Sequence, residues 1–309
     1  MSGFLIKRLA QSLFSLWGVV SLIFIILHLS GDPTLLLVPE GASAEVIDGL
    51  RNKLGFDRPL AVQYLDYLGH LVRGELGTSL VQNIPVGEII GARVPYTLYL
   101  AFAALLFAVG VGLPVGCITG VYRGSLAERF LMPLVLVGQS MPTFWTGILL
   151  IMLFAVTFGV MPSSGADESL SVIMPAVSLG ALSMATFARI ARTSLIEELD
   201  KEYVRAAKAK GLSFGRVMFR HVFRNASIPI ITITALELAN LLAGAVIVET
   251  VFAWPGLGQL AVQAIDARDF LVVQALVLLG ASVYILLNFA ADLLYGLVDP
   301  RIKLAGGKP

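Results

Sequence analysis

Six apolar segments, each long enough to cross a bilayer as a helix, limit the folds that this chain can adopt. A helix needs about 20 mostly apolar residues to span the hydrocarbon core of a membrane. Only 14% of the residues are charged, against about 25% in an average soluble domain. The sequence therefore predicts an all-α membrane protein with six transmembrane helices. The six segments are 9–29, 98–121, 131–160, 170–188, 228–251 and 270–294.

The first and third segments raise questions about where their helices begin. Lys7 and Arg8 precede the first segment as in a signal peptide, but the apolar run is too long and no small-x-small cleavage site follows. We therefore expect this helix to be retained. The third segment is longer than one span needs and contains Pro133 and Pro142. It is predicted either to be kinked or to begin as a separate cytoplasmic turn.

The distribution of positive charge predicts the orientation of the helices, because cytoplasmic loops retain Lys and Arg. With the N-terminus inside, sixteen of the 22 Lys and Arg residues fall in inner segments and six in outer ones. The largest inner group comprises nine residues between Arg189 and Arg224. Both termini are therefore predicted to be cytoplasmic, with a basic intracellular loop at about 193–226.

The predicted first external loop, 31–95, is too long for a simple connector. Ser43 precedes one stretch of helical apolar spacing, and Gly74 ends a second. We expect a small helical external domain, which either caps the bundle or docks an external partner. The predicted organisation is the N-terminus with the first transmembrane helix (1–30), the external helical loop (31–95) and a five-helix transmembrane core (96–309).

Gly112, Gly116 and Gly120 recur at every fourth position of the second segment. Small residues at this spacing let another helix approach closely in a membrane. The pattern predicts tight packing, either inside the subunit or against a second one.

The basic intracellular loop is predicted to form a helix, a bend and another helix. Gly211 is expected to end the first helix, after Lys208 and Lys210 in its last turn, and Ser213 is expected to cap a second helix over 214–225. Four acidic residues are expected to load the first turns of the first helix: Glu197, Glu198, Asp200 and Glu202.

Ala206 and Ala207 are predicted to leave a flat patch beside this bend, where the surface of a partner protein can approach the backbone. Apolar and cationic side chains surround the patch, as at a protein interface. The alternative is a basic interfacial element held by anionic lipid headgroups. The pattern of residues does not decide between these two readings.

The stretch EYVRAAKAKG at 202–211 resembles the "EAA" loop of ATP-binding-cassette (ABC) importer permeases, in the form typical of the peptide and nickel permease family. Arg205 stands at the usual acidic first position of that loop, and Ile228-Pro229 replaces the usual Leu-Pro. The resemblance covers nearly the whole chain. Other similar segments, in the expected order, are SGDP (30–33), LGFDRPL (54–60), GELGTSL (74–80), SMPTFW (140–145) and ETVFAWPGLG (249–258).

This resemblance implies a type I ABC importer permease, which moves peptides or related small solutes into the cytoplasm across a bacterial or archaeal cytoplasmic membrane. The implied partners are a second homologous permease in a heterodimer, two ATPase subunits that carry ATP and Mg, and an extracytoplasmic substrate-binding protein. The loop would couple the ATPase cycle to alternating access. The residues to which the resemblance assigns this coupling role are Glu202, Tyr203, Arg205, Ala206, Ala207, Lys210, Gly211, Leu212 and Ser213.

The chain is predicted not to be an enzyme. No phosphate-binding loop of the G-x-x-x-x-G-K-[ST] type is present. The predicted topology separates the three His residues, and the single Cys cannot build a metal cluster. We therefore expect no catalytic residue, no metal site, no cofactor bound by this chain and no nucleic-acid partner.

Two further places are candidates for a role in transport. Glu237, about ten residues into the fifth segment, either lines the translocation pathway and favours substrates with a positive group, or hydrogen-bonds to neighbouring helices. The external turn is expected to be structural first, and an outer gate or a contact for the binding protein second. Its candidate residues are Trp254, Pro255, Gly256 and Gly258.

Two other classes of function stay open. An ion-gradient secondary transporter would place coupling residues on broken helices near the midplane, often in repeated halves. A membrane scaffold would recruit a soluble protein through the cytoplasmic loop without transport. Within the importer class the sequence does not choose among dipeptides, oligopeptides, glutathione and nickel chelates.

Overall fold

The computed structural model describes residues 2–29, 38, 42–54, 57–79 and 81–298, and these residues are mostly helical. They contain one isolated antiparallel bridge, Thr78 with Pro85, and no β-strand. The helices are α1 (Ser2–Leu29), α2 (Ala44–Leu54), α3 (Leu60–Val72), α4 (Val86–Val121), α5 (Leu126–Ser140), α6 (Thr143–Leu150), α7 (Ile173–Leu199), α8 (Glu202–Ala209), α9 (Phe214–Val217), α10 (Phe223–Val251), α11 (Leu257–Asp266) and α12 (Phe270–Val298). Two π-helical segments, Ile151–Thr157 and Met218–Val222, follow α6 and α9 directly.

Five of these helical stretches are long and apolar enough to cross a membrane, and a bent pair provides a sixth if it is counted as one span. The five are α1, α4, α7, the stretch from α9 through α10, and α12. The predicted all-α architecture is confirmed for the described residues. The end of the C-terminal segment beyond Val298 lies outside them.

The bent pair is the third apolar segment, and its kink confirms one of the two predicted alternatives. The helix direction bends by 105° between the two halves, Leu126–Ser140 and Thr143–Thr157. The break falls at Met141, which has extended backbone angles, directly before Pro142. Proline disfavours a helical conformation for the preceding residue, which accounts for the position of the bend. Pro133, by contrast, lies inside α5 without ending it.

The prediction of a separate helix over 214–225 is wrong at its C-terminal end. From Phe214 the helical backbone continues through the π-helical segment Met218–Val222 into α10 and reaches Val251. Pro229 lies within α10. Membrane helices tolerate an internal proline because neighbouring groups satisfy the freed carbonyl. The second part of the predicted loop and the fifth span are therefore one continuous element.

The first compact unit comprises residues 1–95 and 256–286. Its two predicted loop helices are present: α2 begins after Ser43, whose carbonyl accepts the amides of Val46 and Ile47, and Gly74, at φ +75°, follows α3. Tyr64 of α3 hydrogen-bonds to Ser21 of α1 at 2.6 Å. The core of this unit consists of Val86, Ile89, Ile90, Leu260, Ala264, Val272, Ala275 and Leu276.

The second unit comprises residues 96–255 and 287–309, and α7 lies at its centre. In α7, 61% of the most apolar stretch is buried, against 28% in α4 and in the helix ending at Val251. The main core joins α4, α7 and α10. Its buried members are Leu100, Ala101, Ala104, Val172, Met174, Ala176, Leu179, Leu241, Ala245, Val248, Phe252 and Trp254.

The glycine stripe of α4 packs against α7 within the same unit. A Cβ atom built on Gly112 would lie 2.5 Å from the carbonyl oxygen of Met184, and one on Gly116 would overlap the carbonyl oxygen of Ala188. Gly180 of α7 in turn faces Ala104 of α4, where a Cβ would lie 2.6 Å from the carbonyl oxygen. Of the two partners that the sequence left open for this stripe, the structure shows the one inside the subunit.

Candidate functional site

The candidate coupling segment is built from α8, a tight bend and α9. Lys201, with extended backbone angles, precedes α8, and Gly211 follows it at φ +75°. The amides of Gly211 and Leu212 donate to the carbonyls of Lys208 and Ala207 at 3.0 and 3.3 Å. A left-handed glycine that closes such bonds is a common helix end. Gly211 therefore ends the helix at the predicted position.

Ser213 takes the residue position before α9, as predicted, but its side chain makes no capping hydrogen bond there. Its carbonyl accepts the amide of Val217 at 3.1 Å. The start of α9 is therefore set by backbone geometry rather than by the hydroxyl group.

The predicted acidic start of the first loop helix is wrong for three of the four residues. Helix α7 continues to Leu199, so Glu197 and Glu198 lie in its last turn and Asp200 is its C-cap residue. Only Glu202 lies in the first turn of α8. The stretch from Arg189 to Leu199 contains neither Gly nor Pro to stop α7 earlier, and the chain breaks instead at Asp200 and Lys201.

Helix α8 presents one face to the unit and another to the outside. Val204 is completely buried, and Ala207 packs beside it. Ala206, by contrast, is exposed. Because successive residues of a helix point about 100° apart, the two alanines do not share one face. The predicted flat patch thus consists of Ala206 with exposed cationic neighbours, which are Arg205, Lys208 and Lys210.

A polar cluster holds the N-terminal end of α8. Glu198, only 8% exposed, accepts a hydrogen bond from the hydroxyl of Tyr203 at 2.7 Å and forms an ion pair with Lys201. The amide of Asn225 donates to the same hydroxyl at 3.3 Å. The bond to the Glu198 carboxylate raises the pKa of Lys201. Burial and the bond to Glu198 raise the pKa of Tyr203, so its hydroxyl stays protonated as a donor.

A second charged cluster, which was not predicted from the sequence, ties the turn before α5 to α7. Glu128 accepts two hydrogen bonds from the guanidinium of Arg192 and one from the amide of Gly124, the last at 2.6 Å. Ser125 is the N-cap of α5 and accepts the amide of Glu128 at 3.4 Å. The S-x-x-E spacing of a capping box was the sequence signal for this helix start.

Glu237 lies between two helices of the second unit. The side chain is 7% exposed, and its carboxylate accepts a hydrogen bond from the hydroxyl of Ser183 in α7 at 2.6 Å. The hydrogen bond to a neighbouring helix is therefore present. A role of Glu237 in the translocation pathway stays a prediction.

The candidate outer turn contains a largely buried Trp254. Its side chain is 1% exposed, its indole N–H donates to the carbonyl of Tyr96 at 3.0 Å, and its ring lies beside those of Tyr96 and Tyr99. Glu249, completely buried, accepts the hydroxyl of Thr97 at 2.7 Å. These contacts favour the structural reading of this turn.

The residue with left-handed backbone angles in this turn is Ala253, which is not among the candidates from the sequence. Ala253 has φ +47°, a region that favours glycine. Pro255 is half-buried, Gly256 precedes α11 in an extended conformation, and Gly258 is buried inside α11. A contact of these residues with a gate or a binding protein stays a prediction.

Three or more His, Cys, Asp or Glu side chains do not converge into a possible metal site anywhere in the described part of the chain.

Comparison with known proteins identifies the family. Residues 112–304 match the model of the "Binding-protein-dependent transport system inner membrane component" family, and residues 1–101 match the model of its N-terminal part. The glutathione transport system permease protein GsiC of Salmonella typhimurium is 40% identical over 98% of this chain and 99% of its own length. The di/tripeptide transport system permease protein DppB of Pseudomonas aeruginosa is 41% identical over the same shares.

Solved structures show the same fold. A chain of the MetNI methionine ABC transporter, in an inward-facing conformation, is 24% identical and superposes with a TM-score of 0.56 over 68% of this chain and 96% of its own. A chain of an amino acid ABC transporter is 18% identical, with a TM-score of 0.52. The family match and the relatives of 40% and 41% identity show that the chain belongs to the family of inner-membrane components of binding-protein-dependent transport systems, as a multi-pass permease subunit of the peptide ABC importer type.

Proposed function

We propose that this chain is the membrane-spanning subunit of an ATP-driven importer of peptides or related small solutes, and that α8 with its bend couples ATPase closure to alternating access. The observation that supports the coupling role is that α8 has one packed face and one exposed face. Its outer face carries Ala206 with exposed cationic neighbours, and its inner face packs into the unit through the buried side chain of Val204. A helix fixed on one side and open on the other is suited to seat in a groove of a partner and to pass on its movement.

The partners in this proposal are a second homologous permease, two cytoplasmic ATPases and an extracytoplasmic substrate-binding protein. ATP and Mg belong to the ATPases. Both termini face the cytoplasm, and the bent pair of α5 and α6 counts as one of six spans. Relatives named for glutathione and for di- and tripeptide transport support short peptides as the substrate class.

Two roles in the pathway belong to the same proposal. Glu237 gives the middle of the bundle a carboxylate that favours a positive group on the substrate. The turn around Trp254, Pro255, Gly256 and Gly258 acts at the outer gate by holding helix ends in place, since the indole of Trp254 is buried. A surface of this turn for the binding protein would then be formed around Pro255, which is half-buried.

Reconstitution of the complete importer tests this function. The permease pair, ATPases and binding protein are placed in proteoliposomes, and uptake of labelled dipeptides, tripeptides and glutathione is measured. We expect uptake only with the binding protein outside and hydrolysable ATP on the ATPase side. Uptake driven by an ion gradient without ATP would support the secondary transporter instead. ATPase recruitment without uptake of any solute would support the scaffold.

A charge reversal on α8 tests the coupling surface, with a matched control in another exposed turn. Arg205→Glu is expected to lower co-purification of the ATPases, because Arg205 lies on the outer face of α8. Arg123→Glu makes the same change at an exposed residue between α4 and α5, and is expected to retain them. Equal retention in both variants would contradict the assignment of α8 as the ATPase contact.

A further inference from the structure

The hydroxyl group of Tyr203 connects three helical segments. Tyr203 lies in the first turn of α8, its acceptor Glu198 lies in the last turn of α7, and its donor Asn225 lies at the start of α10. One oxygen atom thus joins the end of α7, the candidate coupling helix α8 and the start of α10. These two hydrogen bonds link the position of α8 to the positions of α7 and α10.

The carboxylate of Glu198 is the buried member of this group. The residue is 8% exposed, whereas Lys201, its other partner, has a side chain that is 53% exposed. An ion pair with an exposed partner contributes little, because water screens it. The bond between Glu198 and Tyr203 is the attachment of Glu198 that lies farther from solvent.

The covalent route from α8 to α10 is longer and less regular. It passes through the bend at Gly211, the single turn α9 and the π-helical segment Met218–Val222. Bends in helices concentrate at such π segments. A movement of α8 that travelled along the backbone alone would be taken up partly at these joints, whereas the Tyr203 hydroxyl bypasses them.

The two helices joined at this point also carry the central carboxylate. Glu237 of α10 accepts the hydroxyl of Ser183 of α7. At 1.5 Å per residue, the fifteen residues from Ser183 to Glu198 in α7 correspond to about 22 Å of helix. Helix α7 thus carries the Glu198 hydrogen bond at its end and the Ser183–Glu237 hydrogen bond to α10 near its middle.

We propose that Glu198 is a positioning residue of the transport cycle, which holds the Tyr203 hydroxyl and thereby passes movement of α8 directly to α7 and α10. This inference rests on the proposed coupling function of α8. It adds a residue outside the recognised loop motif, and it assigns the link to hydrogen-bond acceptance by Glu198 rather than to its charge.

The test measures solute molecules imported per ATP hydrolysed in the reconstituted full importer. Glu198→Ala removes the acceptor, while Glu198→Gln keeps an oxygen that can accept from Tyr203. Loss of a hydrogen-bond acceptor shifts an equilibrium by about tenfold. We expect Glu198→Ala to lower the transport ratio about tenfold, and Glu198→Gln to restore most of it.

Glu197→Ala is the matched control, because Glu197 is the adjacent acidic residue of the same helix turn and is exposed. It is expected to keep the wild-type ratio. A wild-type ratio in Glu198→Ala, or a loss in Glu198→Gln as large as in Glu198→Ala, would overturn the inference. If Glu198→Ala fails to assemble, Tyr203→Phe decides alone, since it removes one oxygen atom, and a wild-type ratio there would equally overturn it.

The failure of this inference differs from failure of the proposed function. If the wild-type complex transports without ATP or binds no ATPase, the proposed function is wrong. If the wild-type complex is ATP-coupled and the Glu198 variants are coupled equally well, only the positioning role is wrong.

Discussion

Replacement of Gly116 by Ala tests the close contact between α4 and α7. The new Cβ would overlap the carbonyl oxygen of Ala188 and would lie 2.7 Å from the Cβ of Ala191. Carbon atoms at optimal separation are about 3.5–4.0 Å apart, so the pair is about 1 Å too close. The atoms in the way are backbone and Cβ atoms, which cannot rotate aside. The two helices must therefore separate.

The size of the effect follows from two opposing contributions. Overpacking costs about 1–3 kcal/mol, and alanine in place of glycine in a helix interior contributes about 1 kcal/mol of stabilisation. Because the clash is with backbone, we take the upper part of the overpacking range. The expected net loss for Gly116→Ala is about 1–2 kcal/mol in the free energy of unfolding.

Gly110→Ala is the matched control in the same helix, because no atom lies within 4 Å of a Cβ built there, apart from its chain neighbours and the adjoining helix backbone. We expect Gly110→Ala to be neutral or stabilising by up to about 1 kcal/mol. The assay is thermal denaturation of the purified protein in detergent, followed as the monodisperse fraction on size exclusion. A Gly116→Ala variant as stable as wild type, or a Gly110→Ala variant equally destabilised, would refute the packing argument.

Three further predictions concern the turns and the central carboxylate. Gly211→Val is expected to leave membrane insertion intact but to lower solute transported per ATP, since φ +75° is strained for a β-branched residue; an unchanged ratio would argue against a coupling bend. Ala253→Gly is expected to raise stability by about 1 kcal/mol, since φ +47° favours glycine; a lower melting temperature would contradict this explanation. Glu237→Gln keeps an acceptor for Ser183, so assembly should survive while competition assays show a reduced preference for substrates with a positive group; an unaltered uptake profile would count against a pathway role.

The spans and their ends could be predicted where one strong physical constraint acts alone. The length of apolar runs predicted the helices, Pro142 accounted for the bend before it, and Gly211 marked the end of α8. In each case the chemistry of a single residue or run outweighs tertiary contacts. The partner of the glycine stripe could not be predicted, because the sequence shows a smooth face but not what covers it.

The errors fall where two helices meet. The boundary between α7 and α8 depends on Glu198, whose acidic side chain resembled a favourable helix start but is held by Tyr203 and Lys201 at a helix end. An acidic residue there opposes the helix dipole, and the hydrogen bond from Tyr203 and the ion pair with Lys201 offset that cost. Likewise, the positive φ of Ala253 reflects the burial of Trp254 next to it, which local propensity does not contain.

The contact between α4 and α7 also limits how this permease can move. Where backbone meets backbone through Gly112, Gly116 and Gly180, neither helix can slide past the other without a clash. This pair is therefore expected to travel as one rigid body through a transport cycle. The bending that a transport cycle needs is then expected in another part of the chain. The sharp bend between α5 and α6, directly before Pro142, is such a place.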